Sequence, residues 1–181
     1  MKYFKIIIPL ICVTLAVITI SCERDDICPE STPTTPKLII EFYDSANPEN
    51  VKFVPLIRVQ GINNDEVLEG YNAANVQKLE LPLRIDTTAT QYKLHRDYSI
   101  NNNGTPDDPS DDFANGNEDI ITIKYTTEQV FVSRACGYKT VFKNVSLTIE
   151  DDTNKWILSR QSVTDNQSVE DETTAHFYLF F

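Results

Sequence analysis

The sequence has few of the residues on which catalysis and metal binding most often depend. Its 181 residues include two histidines, one tryptophan and one methionine. It contains no Gly-x-Ser-x-Gly element, no His-Glu-x-x-His motif, no phosphate-binding loop and no dinucleotide fingerprint. His95 and His176 are far apart in the chain and have no partner at the spacing of a zinc signature. We therefore expect no catalytic residues, no cofactor and a function other than catalysis.

Positive charge is also scarce. The chain has 16 Lys and Arg residues against 27 Asp and Glu residues, which gives a formal net charge of −11 at pH 7. A chain this acidic is repelled by nucleic acid and by anionic lipid surfaces. This balance excludes nucleic-acid binding as the main role and favours solubility.

Only one long hydrophobic run is present, residues 6–20, and it follows Lys2 and Lys5. As a helix, these 15 residues would be about 22 Å long, which is shorter than the roughly 30 Å hydrocarbon core of a bilayer. A basic start, an apolar core and a small residue before the cut are typical of an export signal. We therefore predict that residues 1–21 are a cleaved signal peptide rather than a permanent membrane span.

The dipeptide Ser21-Cys22 resembles the lipobox of bacterial lipoproteins, in which the cysteine after the cut receives lipid. Thr19 stands where leucine is usual, so an ordinary secreted protein with a plain Cys22 thiol is the alternative. A mature lipoprotein cysteine carries two or three acyl chains such as palmitate. Because each buried CH₂ adds about 0.8 kcal/mol, Cys22 alone would hold the protein on a membrane.

The charged residues behind Cys22 carry a second signal. Arg24, Asp25 and Asp26 resemble the surface-export tag of Bacteroidota lipoproteins, with arginine in place of the commoner lysine. The alternative is a solvated charged tether that needs no receptor. We therefore expect an outer-membrane protein that is anchored by lipid and faces the cell surface or, failing that, the periplasm.

Removal of the signal leaves 160 residues, which suits one domain of ordinary size. Residues 22–36 combine the lipidated cysteine with a stretch rich in Pro and Thr, which predicts an extended tether. Residues 37–181 are the predicted domain. Cys12 leaves with the signal and Cys22 takes lipid, so Cys28 and Cys136 remain as one pair in an oxidising compartment. We predict a disulfide between them; the alternative is two free thiols, one of them a nucleophile.

The domain reads as about nine strands separated by turn residues, without a convincing amphipathic helix. This spacing predicts an all-β sandwich of the immunoglobulin-like, Greek-key type, with a closed β-barrel as the alternative. Because an aromatic edge strand would aggregate, the terminal strand 176–181 is expected in the interior of a sheet. The positions expected to share one face of a strand are, in turn, Val51, Phe53, Ile57 and Val59, with a bulge or edge at Pro55; Leu79, Leu81, Leu83 and Ile85; Tyr92 and Leu94; Ile121, Ile123 and Tyr125; Val145, Leu147 and Ile149; and Trp156 and Leu158.

Residues 101–118 are polar and predict a long loop, followed by a separate strand at residues 129–134. The weak calcium candidates in this loop are the carboxylates of Asp107, Asp108, Asp111 and Asp112. Calcium prefers such oxygen ligands, but the EF-hand pattern fails here, and a solvated loop is the alternative.

Two short stretches after strands match the O-glycosylation tripeptide of Bacteroidota. They are Asp44-Ser45-Ala46 and Asp86-Thr87-Thr88, which would place a glycan on Ser45 or Thr87. Ordinary turn chemistry explains both equally well.

Five stretches of the chain resemble a family of small flavobacterial lipoproteins whose shared domain has no known function. They are Cys22-Glu-Arg-Asp-Asp-Ile-Cys28, Thr35-Pro-Lys-Leu-Ile-Ile-Glu-Phe-Tyr-Asp44, Leu81-Pro-Leu83, Val132-Ser-Arg-Ala-Cys-Gly-Tyr138 and Ala175-His176-Phe177. The resemblance implies an envelope location and one β-rich domain, and it brings no catalytic residues.

We expect a lipid-anchored accessory or binding subunit of a cell-envelope protein complex. A surface module that binds glycans or another ligand is the first alternative. A hydrolase is the second, because sequence does not fix the separation of paired carboxylates.

Overall fold

A computed structural model describes residues 27–32, 34–163 and 167–181. The predicted signal 1–21, the lipidation site Cys22 and the tag residues Arg24, Asp25 and Asp26 lie outside these residues. Within them the fold is all-β, with nine strands and one short 3₁₀ turn at Pro109–Asp111. The strands are β1 Leu38–Tyr43, β2 Val54–Gly61, β3 Ala74–Val76, β4 Lys78–Leu81, β5 Ala89–Asn101, β6 Phe113–Ser133, β7 Gly137–Ile149, β8 Ser159–Ser162 and β9 Phe177–Phe180. No helix in the described residues is long and apolar enough to cross a bilayer.

The strands form two sheets, which confirms the predicted sandwich over the closed barrel. One sheet has the order β4-β1-β9-β8, and the other has the order β3-β2-β5-β6-β7. Strand β1 pairs antiparallel with β4 and parallel with β9. The chain passes between the sheets four times, from β1 to β2, from β3 to β4, from β4 to β5 and from β7 to β8.

The inward side chains of both sheets form one hydrophobic core. Phe42 from β1, Phe142 from β7 and Phe177 from β9 are its largest fully buried members. Strand β9 lies between β1 and β8, so the expected interior position of the terminal strand is confirmed. Burial of an aromatic side chain of this size contributes roughly 3 kcal/mol, which makes β9 central to the stability of the domain.

The expected phase of the second strand is wrong at its start. Val51 and Phe53 are exposed, whereas Val54, Ile57 and Val59 are fully buried. The pairing of β2 with β3 shifts register between Val54 and Ile57. Leu56 has a left-handed backbone, with φ 45°. Between these two pairs β2 has one residue more than β3, and this extra residue reverses the side-chain alternation. The predicted bulge at Pro55 is therefore confirmed.

The predicted loop 101–118 is shorter than expected. Strand β5 continues to Asn101 and β6 begins at Phe113, so only residues 102–112 connect them. Strand β6 then runs without a break to Ser133, and residues 129–134 are not a separate strand. Residues 113–118 lack the apolar alternation that would mark a strand, and their pairing with β5 holds them in the sheet.

The chain between β7 and β8 also differs from the expectation. Trp156 and Ile157 are both buried, while Leu158 is exposed, so Trp156 and Leu158 do not share a face. Ile85 is likewise exposed, because β4 ends at Leu81. Thr35, in the predicted tether, also makes a contact, because its hydroxyl accepts a hydrogen bond from the backbone N–H of Thr140 at 3.1 Å.

The described residues separate into two compact units. The first consists of residues 27–32 and 131–138. The second consists of residues 34–130, 139–163 and 167–181, and it contains the hydrophobic core.

Candidate functional site

The first unit is built around a disulfide. The Sγ atoms of Cys28 and Cys136 are bonded at 2.03 Å, and their Cα atoms are 4.8 Å apart. The structure therefore has the predicted pair joined. Cys136 is the last residue of the three-residue turn between β6 and β7, and its N–H donates a hydrogen bond to the Ser133 hydroxyl at 3.0 Å. Gly137 follows with φ 70°, a left-handed conformation that is common after a three-residue hairpin turn and favours glycine.

Three hydrophobic side chains of this unit are exposed, and we call them the hairpin surface: Ile27, Phe131 and Tyr138. Their exposed fractions are 82%, 57% and 66%. The rings of Phe131 and Tyr138 meet edge to face with centroids 5.4 Å apart. Ile27 is next to Cys28 in the chain, so the disulfide ties it to the same turn. Exposed apolar side chains that are grouped in this way are typical of a contact surface.

The second unit has an open groove of about 500 Å³ beside strand β5. Its wall contains amide and charged side chains together with the phenol of Tyr92. The Tyr92 hydroxyl donates to the carbonyl of Pro82, and burial raises the pKa of the phenol. The lining residues with hydrogen-bonding side chains are Asn63, Asn64, Glu66, Glu69, Arg84, Thr90, Gln91 and Tyr92. Groups of this kind can bind a hydroxylated ligand.

The calcium candidates make hydrogen bonds within their own loop. Asp108 accepts from the N–H and the hydroxyl of Ser110, at 3.1 and 2.6 Å. Asp111 accepts from the Thr105 hydroxyl at 2.8 Å. These bonds, the one from Thr105 most strongly for Asp111, hold the pKa of both carboxyls below the usual range. Asp107 and Asp112 are exposed. No group of three or more His, Cys, Asp or Glu side chains in the described part of the chain is placed to hold a metal ion.

His95 lies on β5 of one sheet, and His176 directly precedes β9 of the other. His176 is buried, and its Nδ1 accepts the N–H of Ile39 at 2.9 Å. Burial lowers the pKa of His176, against the opposing charge of Asp171. His95 is on β5, with its Nδ1 3.9 Å from Glu118 and its ring against Tyr98.

Sequence reasoning missed the structural role of Asp119. Its carboxylate is fully buried and accepts the N–H of Ile157 at 2.8 Å and that of Trp156 at 3.2 Å. Burial raises the pKa of Asp119, and the two backbone donors oppose the rise. The available signal was its place two residues before Ile121, in phase with the alternating residues Ile121 and Ile123, which predicts a strand but not a buried acid.

The two candidate glycosylation residues differ in access. Ser45 is exposed at the turn after β1. The Thr87 hydroxyl is half-buried and donates to the carbonyl of Ala89 at 2.8 Å. Ser45 is therefore the more accessible of the two hydroxyls.

Residues 56–181 match the model of DUF6452, a family of unknown function. The match covers more than half of the chain, so the chain belongs to this family. No curated protein and no solved structure matches the sequence.

Proposed function

We propose that this member of a family of unknown function is a lipid-anchored outer-membrane protein without catalytic activity. It serves as an accessory or binding subunit of a cell-envelope complex. The observation that carries this proposal is the bond between Cys28 and Cys136. It joins the segment directly behind the predicted lipidation site to a turn of the domain.

The disulfide supports an envelope location on chemical grounds. Disulfides persist in oxidising compartments such as the bacterial periplasm and the cell surface, and they are rare in the cytosol. Residues 1–21 have the pattern of an export signal, and Cys22 follows them. A protein exported in this way and lipidated at Cys22 would keep its folded domain outside the cytoplasm.

Exposed hydrophobic side chains support function through protein contact. One group of them lies at the bulged start of β2, where Val51, Phe53 and Leu56 are all exposed. When a partner removes side chains of this size from water, the complex is stabilised by about 25 cal/mol per Å² of apolar surface buried. We propose that a partner in the envelope covers this group.

The proposal is tested by affinity capture from detergent-solubilised outer membranes. Phe181 is buried, so the affinity tag belongs in the exposed loop 102–112 rather than at the C-terminus. We expect a defined set of envelope proteins to be recovered with the tagged chain. A Phe53→Ser variant should lose them, and a Cys22→Ser variant should not reach the membrane fraction. Recovery of the tagged protein alone would contradict the accessory role.

The groove beside β5 favours a second candidate, a module that binds glycans. Amide and carboxylate side chains around an open cavity suit hydroxyl groups, and Asn63 lines this cavity with a left-handed backbone. A glycan array probed with the whole protein would show binding that an Asn63→Ala variant weakens, whereas Asn47→Ala, in the β1–β2 turn, would not. An array without hits would remove this candidate.

The predicted surface-export tag, Arg24, Asp25 and Asp26, implies that the protein lies on the outer face of the membrane. A surface protein is cleaved when intact cells are treated with protease, whereas a periplasmic one is protected. We expect cleavage of the natural protein and protection when Arg24, Asp25 and Asp26 are all replaced by Ala. Protection of the natural protein would assign it to the periplasmic face.

A further inference from the structure

We propose that the hairpin surface, formed by Ile27, Phe131 and Tyr138, lies in the polar interface of the bilayer that holds the anchor. This inference rests on the proposed lipidation of Cys22. It adds a second, non-covalent membrane contact, and it commits to lipid rather than protein as the occupant of this surface.

The covalent structure limits how far this surface can be from the membrane. Cys22 and Cys28 are six residues apart, so the chain between them spans at most about 22 Å, even when fully extended. The disulfide passes that limit on to Cys136 and its turn. Phe131 and Tyr138 are five residues before and two residues after Cys136. Any lipid on Cys22 therefore keeps both rings close to the bilayer surface, at a distance limited by this short segment and the turn.

The side chains suit the interface. Aromatic residues gather where the hydrocarbon ends and the headgroups begin, because a ring is apolar and the tyrosine hydroxyl is polar. Phe131 and Tyr138 are paired edge to face and more than half exposed. Ile27 adds an aliphatic side chain on the anchor side of the disulfide, with 82% of its surface exposed. In water these three side chains form an unfavourable surface, which insertion at the interface would relieve.

The charge distribution points the same way. Residues 131–138 of the first unit contain Arg134 and no Asp or Glu, and residues 27–32 add one acid, the exposed Glu30, although the whole chain has 27 acidic residues. An anionic headgroup layer repels the acidic parts of the protein and attracts basic residues close to it. Arg134 lies in the turn itself. With one basic and one acidic side chain, the described residues of this unit are close to neutral, so an anionic headgroup layer repels them less than it repels the acidic chain as a whole.

The test places a tryptophan at the hairpin surface and measures quenching by brominated lipid. Phe131→Trp is the test variant, and Phe53→Trp is the control, since the exposed fractions of the two phenylalanines are 57% and 58%. The lipidated proteins are reconstituted in vesicles of phosphatidylethanolamine and phosphatidylglycerol with brominated acyl chains. The unsubstituted protein supplies the background from Trp156, which is buried. Denaturant unfolding checks that both variants keep their stability.

We expect bromine to quench roughly half of the added emission at position 131, because interfacial side chains lie about 5–10 Å into the boundary between headgroups and acyl chains. The control should be quenched several-fold less. Equal quenching at the two positions, in protein that floats with the vesicles and carries lipid on Cys22, overturns the inference and leaves the anchor intact. That result would assign the surface to a protein partner. Protein that lacks lipid on Cys22 overturns both proposals.

A second arm uses the disulfide. In lipidated protein with Cys28→Ser and Cys136→Ser, the Phe131→Trp emission should lose most of its quenching, while flotation with the vesicles is unchanged. Quenching that survives the loss of the disulfide would contradict the role assigned to that bond in holding the turn at the membrane.

Discussion

The carboxylate of Asp119 accepts a hydrogen bond from the backbone N–H of Ile157 at 2.8 Å, across 38 residues of sequence. The same carboxylate accepts the N–H of Trp156. These bonds fix the chain between β7 and β8 so that the indole enters the core, where its Nε1–H donates to the carbonyl of Leu94 at 3.1 Å. One buried acid therefore determines how the chain enters the strand pair β8–β9.

Replacement of Asp119 by Ala should lower the free energy of unfolding by roughly 2–4 kcal/mol, because two buried N–H groups lose their charged acceptor. Asp119→Asn keeps one acceptor oxygen and should cost less. Asp151→Ala removes an exposed carboxylate and should stay within about 0.5 kcal/mol of the natural protein. Urea unfolding measures all three, and an Ala variant as stable as the natural protein would contradict the role of Asp119.

His176 should make stability depend on pH. Burial lowers its pKa from the usual 6.5, so below that pH the unfolded chain binds a proton that the folded chain does not. The contribution of His176 to the free energy of unfolding is therefore fully present above pH 6.5, and it falls as the pH drops toward the lowered pKa of the folded protein. His176→Asn, whose side-chain oxygen can still accept from Ile39, should flatten the profile from pH 6.5 downward. A flat profile for the natural protein would contradict the prediction.

Gly116 should tolerate no side chain. It has φ 111°, and an added Cβ would overlap the backbone carbonyls of Arg96 and Asp97 at the bulge of β5. We expect Gly116→Ala to cost about 3 kcal/mol or more, from backbone strain and the clash together. Gly104 has φ 81° and open space around it, so Gly104→Ala should lower the free energy of unfolding by only about 1–2 kcal/mol. Thermal unfolding would show the difference, and equal losses would place the strain in the backbone alone.

Loss of the disulfide should lower the free energy of unfolding by about 2–5 kcal/mol, because the bond joins residues with a sequence separation of 108 and so restricts the unfolded chain. The pair Cys28→Ala and Cys136→Ala, or reduction of the natural protein, tests this by urea unfolding. The double variant should not respond to reductant. A natural protein whose unfolding is the same with and without reductant would show that the bond contributes nothing to stability.

The parts of the fold that could be predicted are those in which side chains alternate without interruption. Leu79 and Leu81, and Ile121 and Ile123, are spaced by two and lie buried as expected. The start of β2 could not be predicted, because the left-handed backbone of Leu56 reverses the alternation. Residues 113–118 have no apolar pattern, and only their pairing with β5 makes them a strand.

In the candidate site, too, some features could be predicted from the sequence and others could not. Cysteine number and the predicted compartment predicted the pairing of Cys28 with Cys136, since chemistry leaves few partners for a thiol in a chain that is expected to be exported. The exposed pair Phe131 and Tyr138 could not be predicted, because alternation alone does not tell which phase of a hairpin end faces solvent. The interaction of Asp119 with Ile157 depends on a contact between distant segments, which local pattern does not encode.

Mass spectrometry of the N-terminal peptide from protein isolated from its native membranes tests the central claim most directly. We expect the mature chain to begin at Cys22 with a diacylglyceryl group on its sulfur. A peptide that carries a free Cys22 thiol, or one that still contains residues 1–21, would contradict the lipid anchor.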